Sequence, residues 1–194
     1  MRLIRIALAV CAALFAAACL PVTTKTAIGT TVAAAPDPAL YGMWRGADSK
    51  NDLPGYFTFL KNGDDTMTAI LVSLPHGEDG GEWETFRVQA ATLGGNHYMT
   101  ATESFVNNAA AGDDALQNIA LLYRFEGKSL TLYLIDEDAA KAAIAAGKIK
   151  GTVGQGDNGD IQITSDAAEL DAFLATPEGA ALFKSPLVKL TKMP

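Results

Sequence analysis

Apolar and polar positions alternate through most of the central chain. Ile119, Leu121, Tyr123 and Phe125 fall on one face of an extended segment, and Ala120, Leu122, Arg124 and Glu126 fall on the other. That two-residue period predicts a strand with one face toward a core. Similar β-rich runs occupy 56–60, 66–72, 83–91, 97–103 and 130–135. Between them lie turn-forming residues at Lys61-Asn62-Gly63-Asp64-Asp65, Gly94-Gly95-Asn96, 107–114 and Glu126-Gly127-Lys128. Successive runs joined by such turns predict an antiparallel meander.

The period changes late in the chain. Residues 137–146 are Ala-rich, with Asp136 or Glu137 near the start and Gly147 placed to end a helix. Ser165-Asp166 offers an N-cap, after which Leu170, Phe173 and Leu174 recur at i, i+3 and i+4. Thr176-Pro177 closes that helix and opens another turn, and 187–190 reads as a final strand. The expected fold class is mostly β with minor α: an antiparallel meander sheet or barrel with one or two flanking C-terminal helices.

The first 18 residues follow a different pattern and stand apart from the fold. Arg2 and Arg5 precede an unbroken apolar run from Ile6 to Ala18, too short for an ordinary membrane span, which predicts a signal peptide. Ala16-Ala17-Ala18-Cys19 resembles the lipobox of bacterial lipoproteins, with Ala16 where that family usually has Leu. The resemblance implies cleavage between Ala18 and Cys19, a diacylglyceryl thioether on Cys19 and acylation of the new amino terminus. It also implies a membrane partner reached through lipid, because several acyl chains anchor far more firmly than one. In a cell with two membranes, Leu20 in place of the Asp that resembles an inner-membrane retention signal points to the outer membrane, facing the periplasm or the exterior. The alternative is an ordinary secretory signal whose Ala-x-Ala site precedes Cys19. Residues 19–38, with their threonines, Ala33-Ala34-Ala35, Pro36 and Pro38, show neither period and are expected to be a lipidated, flexible tether. Residues 39–194 are then a single β-rich domain.

At the start of that domain, Leu40-Tyr41-Gly42-Met43-Trp44-Arg45 places a Gly-x-Trp on the first strand. The motif is similar to the opening of lipocalin-like barrels. The resemblance implies that Trp44 plugs one end of a barrel and packs against an arginine from a late strand, for which Arg124 or Arg87 is the candidate. It also implies a cavity for a small apolar ligand if the interior is hollow. A tryptophan buried in the core of any small β domain would carry the same motif.

Candidate chemistry is sparse. Gly154, Gly156 and Gly159 spell Gly-x-Gly-x-x-Gly, but Asn158-Gly159 is a hairpin signal and the alternating Asp160-Ile161-Gln162-Ile163-Thr164 follows where a phosphate site needs a helix N-terminus. The imidazoles are His76 and His97, which with a carboxylate such as Glu78 or Glu103 would supply an acid–base or metal site if the fold joined them. This is the basis of the alternative reading, a hydrolase-type or metal-dependent enzyme. No nucleophile elbow, zinc-protease motif or phosphate-binding lysine motif is present, so no cofactor and no metal is expected.

The whole chain carries −7. Losing Arg2 and Arg5 leaves 13 basic against 22 acidic residues, a net −9 that disfavours nucleic acid as a partner. The leading expectation is a lipid-anchored, non-enzymatic module binding a small apolar ligand or another envelope protein. Cys19→Ala should abolish incorporation of a fatty-acid analogue. Labelling that persists in the variant would remove the anchor assignment.

Overall fold

The computed structural model describes residues 22–32, 36–46, 55–73, 81–106, 109–110, 117–154 and 160–194. Within them the alternating runs form β1 (Thr23–Thr24), β2 (Gly42–Gly46), β3 (Gly55–Lys61), β4 (Met67–Ser73), β5 (Glu82–Leu93) and β6 (Asn96–Val106). There follow β7 (Ala109–Ala110), β8 (Asn118–Glu126), β9 (Ser129–Leu134), β10 (Gly151–Val153), β11 (Ile161–Ile163) and β12 (Ser185–Lys192). The helices are α1 (Glu137–Ala145), α2 (Ala167–Leu174) and the short α3 (Pro177–Ala180), preceded by a 3-10 turn at Pro38–Leu40.

Eight of the strands close into an antiparallel barrel in the ring order β2-β3-β4-β5-β6-β8-β9-β12. Closure depends on β8, which pairs with β6 from Asn118 to Tyr123 and with β9 from Leu121 to Glu126. The expected meander is present, and β12 returns after the helical excursion to join β9 to β2. Around the ring the register accumulates a stagger of about twelve residues, more than the shear of eight in a tightly filled barrel of the same strand number, and this widens the interior.

The hairpin turns follow from local chemistry. Gly94 and Gly95 both take positive φ, 57° and 81°, as a two-residue turn matched to strand twist requires. Gly94 has a second constraint: a Cβ there would stand 2.0 Å from the Ala175 carbonyl oxygen at the end of α2. The helices are capped as the sequence suggests, with Asp136 accepting from the Ala139 N–H at 2.9 Å and Gly147 at φ 68° after α1. Asp166, not Ser165, caps α2; the Ser165 hydroxyl instead accepts from the Lys150 N–H at 2.8 Å.

Two apolar clusters result. Inside the barrel lie Leu40, Trp44, Phe59, Met67, Val88, Met99, Leu121, Tyr123, Leu130 and Leu190. Outside it, Ala91, Leu93, Tyr98, Ala120 and Leu122 from β5, β6 and β8 meet Ala140, Ala143, Leu170, Leu174 and Phe183 from the helical excursion. On β8, Ala120 and Leu122 of the second face are therefore buried like Leu121 and Tyr123 of the first, which explains the apolar run from Ile119 to Tyr123. Elsewhere the wall faces outward with Thr58, Arg87, Gln89, Arg124 and Lys189, and also with exposed Met43, Leu60, Val72 and Phe105. Among the described residues no helix is long and apolar enough to cross a membrane.

The expected tether is corrected. Thr23 and Thr24 pair with β8 on one side and, in parallel, with β11 on the other. Val22 is 2% exposed and Ile28 is fully buried in the outer cluster. Asp171 of α2, 4% exposed, clamps this strap: it accepts from Gly29 N–H at 2.7 Å, Thr31 N–H at 3.2 Å and the Thr31 hydroxyl at 2.5 Å. Gly29 lies so close to β5 that a Cβ would stand 2.1 Å from that of Ala91. The described fold therefore includes residues from Val22 onward and is not confined to the chain after Ala39. A segment this short shows no period because it contributes two strand residues and two apolar anchors, Val22 and Ile28, too few to repeat. Asp171→Ala leaves buried donors without an acceptor and should lower stability by about 2–3 kcal/mol in denaturant titration. A shift no larger than that of the exposed variant Arg87→Ala would show that the clamp contributes little.

Candidate functional site

The two ends of the barrel differ in chemistry. At the upper end, where the β3–β4, β5–β6 and β8–β9 turns lie, the 3-10 turn folds over the opening. Asp37 accepts from the Ala39 N–H at 2.8 Å and starts the turn, which drives Leu40 inward to full burial. Trp44, 1% exposed, donates its indole N–H to the Leu40 carbonyl at 2.7 Å and lies 6.2 Å from the Phe125 ring. Trp44 is thus buried in the inner cluster beneath the 3-10 turn at the upper end.

Its cationic partner is neither expected arginine. Lys192 Nζ stands 5.1 Å over the Trp44 ring while donating to the Ala39 carbonyl at 2.8 Å, which ties the last barrel strand to the 3-10 turn. Arg124 alternates outward from β8 and lies 5.3 Å over Tyr133, and Arg87 pairs outside the barrel with Asp64 at 2.5 Å. The Thr66 hydroxyl and then Arg87 hold the Asp64 carboxyl below its ordinary range. The parity that turns Leu121, Tyr123 and Phe125 inward necessarily turns Arg124 away.

The lower end is lined differently. Phe57, Phe86, Ile119, Leu134 and Val188 face the interior there but are only partly buried, unlike Leu40, Trp44, Leu130 and Leu190 toward the upper end. Two carboxylates share this apolar lining. Glu84 pairs with Leu71 across β4, and its parity with Phe86 and Val88 turns it inward at 8% exposure. Glu103 of β6 pairs with Phe86 of β5, just before a one-residue bulge at Ser104 that reverses the parity and turns Phe105 out to solvent. Burial raises the Glu103 carboxyl pKa above its ordinary range, and the neighbouring charge of Glu84 adds to the shift. Residues 47–54, 74–80, 107–108 and 111–116 lie outside the described residues.

Sequence reasoning named Glu103 only as a companion to histidine and missed Glu84. The two-residue period of Glu84, Phe86, Val88 and Ala90 was the signal that could have found it. His97 stacks on Tyr123 at 5.4 Å between centroids and shares a 3.1 Å contact between its Nδ1 and the Thr92 hydroxyl at the upper end. Six residues of one strand separate His97 from Glu103, about 20 Å, so they do not meet in one site. His76, Glu78, Ala18 and Cys19 lie outside the described residues. Among the described residues no group of three or more His, Cys, Asp or Glu side chains is arranged to hold a metal ion.

The buried phenols are structural in setting. Burial pushes Tyr98 up to about 12, and its hydroxyl donates to the Leu174 carbonyl at 2.9 Å, joining β6 to α2. Burial also raises Tyr123 to about 12, where it meets Phe125 edge-on at 5.8 Å. The glycine-rich stretch is spanned by a hairpin: β10 and β11 pair antiparallel and Gly154 N–H donates to Asp160 O at 2.8 Å. No helix N-terminus follows it, as a phosphate site of that pattern would need.

Comparison of the chain with family models, curated proteins and solved structures returns no significant match to any of them.

Glu103 gives the lower end a pH signature. Its folded-state pKa is raised, so its ionised form opposes folding above that pKa. The opposition fades as pH falls through the raised value toward the ordinary glutamate range. Glu103→Gln should therefore stabilise the domain at neutral pH, with a gain that shrinks to nothing below the ordinary range. An equal gain at all pH values would show that the charge at 103 is well solvated.

Proposed function

We propose that this chain is a lipid-anchored envelope protein whose barrel is a non-enzymatic binding module for a small apolar ligand, entering at the end opposite Trp44. The observation that carries the reading is the contrast between the two ends. At the upper end Trp44, Leu130 and Leu190 are fully buried, with Phe125 partly buried beside them, whereas below them Phe57, Phe86, Ile119, Leu134 and Val188 all keep partial exposure on the inner wall. Ligand sites are concave, mostly apolar and supplied with a few polar groups, and Glu84 and Glu103 are the polar groups here. The wide stagger of the barrel supports an interior able to admit a ligand beyond its own side chains.

The lipid-anchor part of the proposal is supported by the Ala16-Ala17-Ala18-Cys19 motif behind its apolar run. Placement at the outer membrane is supported by Leu20 after the cysteine.

Protein lacking residues 1–19 should shift the emission of a hydrophobic fluorophore, and the shift should be displaced by the lipid fraction of the native envelope. Ile119→Trp adds bulk to the half-exposed lining and should suppress the shift while the far-ultraviolet circular dichroism stays unchanged. Failure of the parent protein both to shift the fluorophore and to retain lipid in mass spectrometry would replace ligand binding with protein interaction as the role of the domain.

A further inference from the structure

We propose that the lipid holds the domain directly, with the flank that ends in the β10–β11 hairpin beside β1 against the bilayer, so that the protein has a fixed face toward the membrane. The proposal rests on the lipid-anchor reading of Cys19. Between Cys19 and Val22 stand Leu20 and Pro21, a connection that reaches about 10 Å even if fully extended. Pro21 also fixes one of the few rotatable dihedrals in it. Beyond it the chain is at once part of the fold. Val22 is buried, Thr23 and Thr24 are paired on both sides, and Lys25 N–H donates to Ile163 O at 2.8 Å. Downstream, Ile28 N–H donates to the Thr100 hydroxyl at 2.8 Å and Asp171 fixes Gly29 and Thr31. None of residues 22–32 is therefore spare length for a tether.

Strand direction selects the flank. β1 runs parallel to β11 with Thr23 beside Gln162, so the chain enters β1 from the side of Ile161 and Asp160. Opposite Ile161 on β10 sits Val153, a large apolar side chain 45% exposed, next to exposed Thr152. The far wall lies four strands around the ring from β8, where Leu60 of β3 is exposed. The occupant of this flank is thus the bilayer that holds the acyl chains, selected by the length of the connection and by where it joins the fold.

The test uses the processed, acylated protein in vesicles. After processing, Cys11 is lost with the signal and the Cys19 thiol is acylated, so Thr152→Cys or Leu60→Cys supplies the one free thiol for a fluorophore. Headgroup-attached quenchers should quench the probe at 152 several-fold more than the probe at 60. A 20-residue Gly/Ser insertion between Pro21 and Val22 should erase that contrast while leaving acylation intact. Equal quenching at the two positions in acylated protein, or a contrast that survives the insertion, would overturn the fixed face alone. Absence of lipid mass on Cys19 would overturn the anchor reading and this proposal with it.

Discussion

The two-sided burial of β8 is the constraint on which the rest of the structure depends. One face of the strand supplies Leu121, Tyr123 and Phe125 to the barrel interior, and the other supplies Ala120 and Leu122 to the helices outside. Its edges are also used twice: β6 closes the ring on one side, while β9 and β1 share the other along its length. Each large apolar side chain buried this way contributes about 1.5–3 kcal/mol. A polar substitution at Leu122 would therefore separate the helices from the barrel, and one at Tyr123 would disturb the inner packing. The strand joins two cores that would otherwise be independent.

The outer core explains the long excursion between β9 and β12. A meander could close with a short turn there, but the chain spends residues 135–184 building α1, α2, α3 and the β10–β11 hairpin against one side of the barrel. That addition creates the groove in which the N-terminal strap lies, with Asp171 reaching across to its amide groups. The upper end depends on a second tie of the same kind, since Lys192 on the last strand holds both the Trp44 ring and the Ala39 carbonyl. Trp44 and the strap are each fixed by a residue more than a hundred positions away.

That distance explains what could be read in advance. The strands were legible because a two-residue period is a local property, and the bounds of β3, β4, β8 and β9 match the apolar runs closely. Helix starts were legible from Asp136 and Asp166 for the same reason. Trp44 was legible as a buried core residue, but its cationic neighbour was not, because the choice among Arg87, Arg124 and Lys192 depends on strand parity and on which strands end near the 3-10 turn. The strap was misread as a tether because its stability comes from Asp171, β8 and β11, none of which leaves a trace in residues 22–32 themselves.

By itself, the sequence determined the alternation that makes the chain a meander, the turn and cap residues that punctuate it, and the signal-like run ending at Cys19. Each of these is written in neighbours a few positions apart, where backbone sterics and local hydrogen bonds act. Only the tertiary structure decided that the meander closes through β6 and β8, that Trp44 is buried at one end of the interior while Phe57, Phe86 and Glu103 keep partial exposure toward the other, and that the fold reaches back to Val22. Those outcomes depend on strand stagger and on contacts between distant segments, and such contacts form only when the whole ring is assembled.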